Sequence, residues 1–179
     1  MNSKTKWITR GAIGIALVIV IQFVTKSLGQ QLITGSLVNL VLALMALLFG
    51  WSVGAAVAIV SPFIAYLLGI NAQILVVPAI AVGNLTYVLV IALLVKLLKK
   101  NRLPLTVRDL IAVIAGALCK FAIQYLLIVK WIAPSFLPAK AQPVMAVNFG
   151  IIQLFTACIG GVIACIIRLP VGKASKGES

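Results

Sequence analysis

From Ser36 to Gly69 the chain reads SLVNLVLALMALLFGWSVGAAVAIVSPFIAYLLG, 34 residues without a charge. As one helix this stretch would measure about 51 Å, well beyond the ~30 Å apolar core of a bilayer. Gly50-Trp51 lies near its middle, and glycine permits the tight turn that divides such a run. Two short spans, 36–49 and 52–69, are therefore predicted. The uncharged region extends on both sides to the 69 residues from Ser27 to Val95, and a second covers the 27 residues from Ala141 to Ile167. Of the 179 residues, 63% are hydrophobic and 9% charged, where a soluble domain carries about 25% charged residues. Apolar runs at 7–25, 77–98, 107–129 and 145–168 complete the set. The expected fold is a single membrane domain over 1–179, an all-α bundle of six transmembrane helices with a polar tail at 170–179.

Charge orients the bundle. Fifteen Lys and Arg face two acids, Asp109 and Glu178, and there is no His. With both termini cytoplasmic, the inner set is Lys4, Lys6, Arg10, Lys96, Lys99, Lys100, Arg102, Arg108, Arg168, Lys173 and Lys176. The outer set is Lys26, Lys130 and Lys140, so the bias follows the positive-inside rule. The basic residues sit between apolar spans rather than in one stripe, which argues against a nucleic-acid partner. The N-terminal segment, Lys4, Lys6 and Arg10 before an apolar run, reads as a retained first span rather than a signal peptide. The outer loops are predicted at 26–35, 70–76 and 130–144. The inner loop 99–106 ends in Thr106-Val107-Arg108-Asp109, which resembles a capping box, with Asp109 as a helix-start acid.

The composition excludes several chemistries. Without His there is no Ser-His-Asp triad, and one internal acid leaves no paired-carboxylate site. Cys119, Cys158 and Cys165 lack metal or redox spacing and read as buried packing residues. No metal site, cofactor or enzymatic activity is expected.

Lys120 falls near mid-span in the fifth helix, where a lysine costs about 2.5–3.5 kcal/mol on insertion scales. Two readings stand: a lysine tucked against backbone carbonyls or reaching an interface, or a cation awaiting an anionic ligand in a water-accessible cavity. Gln124 lies one turn outward on the same face and Gly116 one turn inward. Gln153 and Asn148 on the sixth helix, Asn84 and Tyr87 on the fourth, and Asn39 on the second complete a polar set in the predicted outer half. Each is either interhelical glue or a wall group of an outward-opening cavity. Ala12-Ile-Gly-Ile-Ala16 lets another helix approach closely, and Ser61-Pro62 is a candidate kink. Trp7, Trp51 and Trp131 suit the membrane interfaces.

Six spans, an Ala-xxx-Ala pattern in the first, Ile33-Thr-Gly-Ser-Leu-Val-Asn39, Leu47-Leu-Phe-Gly50, Ser61-Pro62 and Pro78-Ala-Ile-Ala-Val-Gly-Asn84 together resemble one family. It is the substrate-binding S component of energy-coupling factor (ECF) vitamin transporters. The resemblance implies a multi-pass protein of a prokaryotic cytoplasmic membrane. It also implies that Ala12 and Ala16 dock on a membrane T component driven by two ATPase subunits, which use the ATP. Substrate would bind near the outer face, enclosed by outer loops and helices four to six, and be released by toppling. No nucleotide-binding P-loop is present in the sequence, so ATP use would belong to the partners. The missing His argues against a nickel or cobalt ligand. A vitamin-like ligand with a carboxylate or phosphate would suit Lys120, while a neutral ring held by Asn and Gln stays open if Lys120 faces elsewhere. The competing reading is a small self-associating pore or holin-like protein in surrounding lipid.

Overall fold

Gly50 adopts φ +85°, ψ −175°, a left-handed conformation that costs glycine nothing. It ends helix α2 (Gln31–Phe49) and opens α3 (Trp51–Leu67) in one residue, so the predicted division is present. A computed structural model describes residues 2–70, 73–101 and 103–174. Before the hairpin runs α1 (Ser3–Lys26), and after it α4 (Val77–Leu98) and α5 (Leu105–Gln124). The chain continues from α5 as a π-helical segment (Tyr125–Ile132) and a short α6 (Ala133–Phe136). Helix α7 (Gln142–Asn148) and α8 (Ile151–Ala174) follow.

Five of these helical runs are long and apolar enough to cross a membrane: 3–26, 31–49, 74–101, 105–136 and 142–170. Helix α3, at 17 residues, is shorter and spans about 25 Å. The protein is thus an all-α, multi-pass membrane bundle of five or six long apolar helices.

Several predicted boundaries move. Helix α2 begins at Gln31, five residues before the expected start, so the first loop contracts to four residues, 27–30. The expected loop 130–144 is largely helical, being the end of the π-helical segment, α6 and the start of α7. The expected span 145–168 is broken at Phe149-Gly150, and the tail remains helical to Ala174 despite Pro170. Arg102, Lys176 and Glu178 lie outside the described residues, as do Asn71 and Ala72.

The capping expectation fails. Pro104, not Thr106, occupies the cap position of α5, and no side chain caps it. Asp109 thereby falls more than one turn inside the helix, beyond the free N–H groups. It is instead buried between two guanidiniums: Arg168 Nη1 donates to Oδ2 at 2.6 Å and Arg108 Nε to Oδ1 at 3.2 Å. This cluster ties α5 to α8. The cysteines divide: Cys165 is buried, Cys158 half-buried, and Cys119 exposed on the outward face of α5 rather than packed inside.

The main core lies along α2, α3, α4, α5 and α8, around Leu42, Val57, Val88, Ile91, Val113 and Ala164. Helices α2 and α8 form the most extensive pair. Any side chain at Gly160 would strike the Ser36 carbonyl and the Leu40 amide, so these two helices meet backbone to backbone. A second apolar cluster, Val76, Ala79, Ile80, Ile128, Ala133, Leu137 and Phe149, anchors the π-helical segment and α6 over one side of the bundle. Helix α1 packs on α2 and α3 through Gly11, Gly14, Val18, Gln22 and Thr25.

The two ends differ in charge. Lys6, Arg10, Lys96, Lys99, Arg108 and Arg168 share one end, and Arg10 sits 4.8 Å from the centre of the Phe49 ring there. Lys26 and Lys130 lie at the other end of their helices.

Candidate functional site

Pro62 carries no N–H, so within α3 it leaves the carbonyl of Ala58, four residues back, without its helical partner. Two side chains compensate. Ser61 Oγ donates to Ala58 O at 3.3 Å, and Asn84 Nδ2 reaches the same oxygen at 3.5 Å and Ser61 Oγ at 3.1 Å. Gln22 of α1 donates from Nε2 to the Ser61 carbonyl at 3.2 Å. A proline in one helix thus gathers polar groups from two others.

Across from it stands Lys120, with 1% of its surface exposed. Its Nζ donates to Asn39 Oδ1 at 2.5 Å. Asn39 Nδ2 donates to Thr156 Oγ1 at 3.2 Å, and Thr156 donates to the Gln153 carbonyl at 3.0 Å. The Tyr87 ring centre lies 5.6 Å from Nζ, within cation–π range. Its hydroxyl donates to Ala157 O at 2.8 Å. Helices α2, α4, α5 and α8 are joined through this one group. An ammonium has three donors, and among the described residues only Asn39 accepts from Lys120. No carboxylate pairs with it there, because Asp109 is committed to Arg108 and Arg168.

Gln22, Asn39, Ser61, Asn84, Lys120 and Gln153 line one cavity of about 60 Å³, with Thr34, Pro62 and Phe149 among its other walls. It has room for a few waters, each needing about 10–15 Å³ on this measure. A larger vestibule of about 250 Å³ adjoins it at the end bearing Lys26, and Gln31, Thr34 and Ile70 line both spaces. Gln22 Oε1 is buried with no hydrogen-bond partner among the described residues.

Of the residues singled out from sequence, Lys120, Asn39, Asn84 and Gln153 come together on this cavity. Tyr87 touches it indirectly, as the face beneath the ammonium. Gln124 is fully buried elsewhere, donating to Ile80 O at 3.3 Å in space that a side chain at Gly83 would fill. Asn148 is half-buried on α7, outside the cavity lining, beyond the Phe149-Gly150 break. Sequence reasoning missed Gln22, Ser61 as a wall group, and Thr156. A lone amide in the run Val20-Ile21-Gln22-Phe23 was the available signal for the first. Ala12 and Ala16 are exposed on the face of α1 turned away from the bundle. Among the described residues no cluster of His, Cys, Asp or Glu could hold a metal ion.

The described residues thus form a multi-pass membrane bundle with a small, polar, cation-bearing cavity inside it. Over residues 6–172 the chain matches the family described as ECF transporter, substrate-specific component, and it belongs to that family. It is therefore a transport protein of the ECF type. No curated protein and no solved structure matches it.

Proposed function

We propose that this S component captures a small vitamin or vitamin precursor carrying a carboxylate or phosphate, and that Lys120 receives that group. The observation that carries the reading is a buried ammonium in a cavity wall, with one donor given to a neutral oxygen and, among the described residues, no carboxylate beside it. Gln153, Asn84 and Asn39 orient the ligand, and the unpaired Gln22 Oε1 accepts from a ligand hydroxyl or amide. Gln124, Tyr87 and Asn148 act at one remove, the first two by holding α4 and α5 in place.

Small-molecule sites usually measure about 300–1,000 Å³, so the present cavity is a contracted form. Widening is expected where it meets the vestibule, because the opposite wall is held by the apolar cluster around Ile128 and Phe149. The wall that gives carries Gln31, Thr34 and Ile70, beside the short turns at Gly29 and Gly69. The resemblance implies enclosure by outer loops and helices four to six; here α1, α2 and α3 also supply much of the lining.

The basic end is cytoplasmic in this reading, and the vestibule opens outward. Transport then follows from partners: Ala12 and Ala16 dock on a T component coupled to two ATPase subunits, and toppling delivers the ligand inside. Helix α1 supports this, since its exposed face carries both alanines together with Ile13, Leu17 and Val20. Replacing Ala12 and Ala16 by Trp should abolish co-purification with the module while ligand binding stays within about twofold. Unchanged co-purification would remove α1 as the docking face.

The deciding experiment is a thermal-shift screen of the purified protein against water-soluble vitamins and their precursors. A ligand at 100 times its Kd should stabilise the fold by about 2.7 kcal/mol. A carboxylated or phosphorylated hit supports the proposal, and stabilisation by a neutral compound alone would overturn the role given to Lys120.

A further inference from the structure

At the basic end, far from Lys120, an open cavity of about 370 Å³ lies between the Gly50 corner and the ends of α4, α5 and α8. Lys96, Lys99, Arg108 and Arg168 line it, with Trp51 at its rim. Among the described residues, four cations stand against one acid, Asp109, and that acid is buried behind them. Asp109 holds both guanidiniums but uses only part of them: Arg108 gives it Nε and Arg168 gives it Nη1. The remaining N–H groups have no acceptor among the described residues. A guanidinium held in place with free donors is suited to bidentate recognition of phosphate. The two lysines are exposed on the last turn of α4 and the turn after it, adding point charges at the mouth.

We propose that this cavity binds the phosphate of an anionic phospholipid headgroup. Its position decides the source of the phosphate. The cavity sits where the apolar spans end, the depth at which headgroups lie in either orientation of the bundle. Trp51, 63% exposed beside it, suits that same layer. Basic recesses between transmembrane helices bind such headgroups. Asp109 acts here as a positioning residue, fixing Arg108 and Arg168 while keeping its own charge away from the lipid.

The test uses the delipidated full-length protein in neutral detergent, titrated with phosphatidylglycerol or phosphatidylcholine and read by native mass spectrometry. Phosphatidylglycerol should bind at low stoichiometry, and at least about tenfold more tightly. At about 1 kcal/mol per lysine, the variant Lys96→Gln/Lys99→Gln should lose roughly thirtyfold of that affinity. The charge-matched variant Lys4→Gln/Lys6→Gln, on the same end but off this cavity, should retain it. Should Lys96→Gln/Lys99→Gln fold poorly, Lys99→Gln alone should still lose about fivefold, at about 1 kcal/mol per lysine, while Lys4→Gln/Lys6→Gln does not. Equal binding of both lipids would overturn the proposal. So would an equal loss in the two variants, which would mark a diffuse charge effect. Inorganic phosphate matching phosphatidylglycerol in affinity would assign the site to the free anion and overturn the lipid reading. Loss of T-component association in Lys96→Gln/Lys99→Gln with lipid binding intact would assign the surface to a protein partner instead.

Discussion

Replacing Lys120 by Met should weaken binding of an anionic ligand by roughly 30-fold or more, since removing one partner of a buried charge pair costs 2–5 kcal/mol. Folding should scarcely change. The substitution removes a cation that costs about 2.5–3.5 kcal/mol near the middle of a span. It also strands Asn39 Oδ1, now satisfied by Nζ, at a cost of about 1–3 kcal/mol. These terms nearly cancel, so the apo melting temperature is expected within a few degrees of wild type. Isothermal titration alongside a melt measures both. Full-affinity binding by the variant would mean that the ammonium only braces α5 against α2. The variant Asn39→Leu provides the contrast: it frees Lys120 from its only side-chain acceptor among the described residues, and should lower stability and binding together.

The second large effect is expected at Asp109. Changing it to Asn leaves Arg108 and Arg168 facing each other at 11% and 15% side-chain exposure without a counter-charge. Breaking a buried pair from one side costs about 3–5 kcal/mol, and the lower end applies because both guanidiniums are partly exposed. At 2–4 °C per kcal/mol, melting should fall by roughly 6–12 °C. The double variant Asp109→Asn/Arg168→Met removes a charge from each side and should recover much of the loss. If the single variant melts like wild type, the cluster contributes nothing to holding α5 on α8. A helix-cap role would predict a loss of only about 1 kcal/mol and no rescue by Arg168→Met.

That contrast marks where sequence reading succeeded and where it failed. The division at Gly50 was legible because it rests on local arithmetic: an apolar run too long for one crossing and a residue that turns freely. The burial of Lys120 was legible for a similar reason, a charge too far from either end of its span. Asp109 was misread because its partner Arg168 is 59 positions away and nothing local announces it. A cap two residues earlier, at Pro104 instead of Thr106, also moved Asp109 out of the first turn. The polar wall groups were half legible. Their presence in apolar helices was visible, but which face each presents depends on how closely the helices approach. That distance is set by glycines such as Gly83 and Gly160, whose contacts lie on other helices. Gln124 and Gln153 illustrate the point: both are amides in apolar helices, and only the second reaches the cavity.

The single-residue corner at Gly50 also bears on how the chain is made. Helices α2 and α3 carry no charge, nor does the turn between them. They offer the insertion machinery nothing by which to orient either one alone. Gly50 alone joins them, so the position of one helix fixes the position of the other. Their placement is therefore inherited from the basic segments on either side, Lys4 to Arg10 before and Lys96 to Lys100 after.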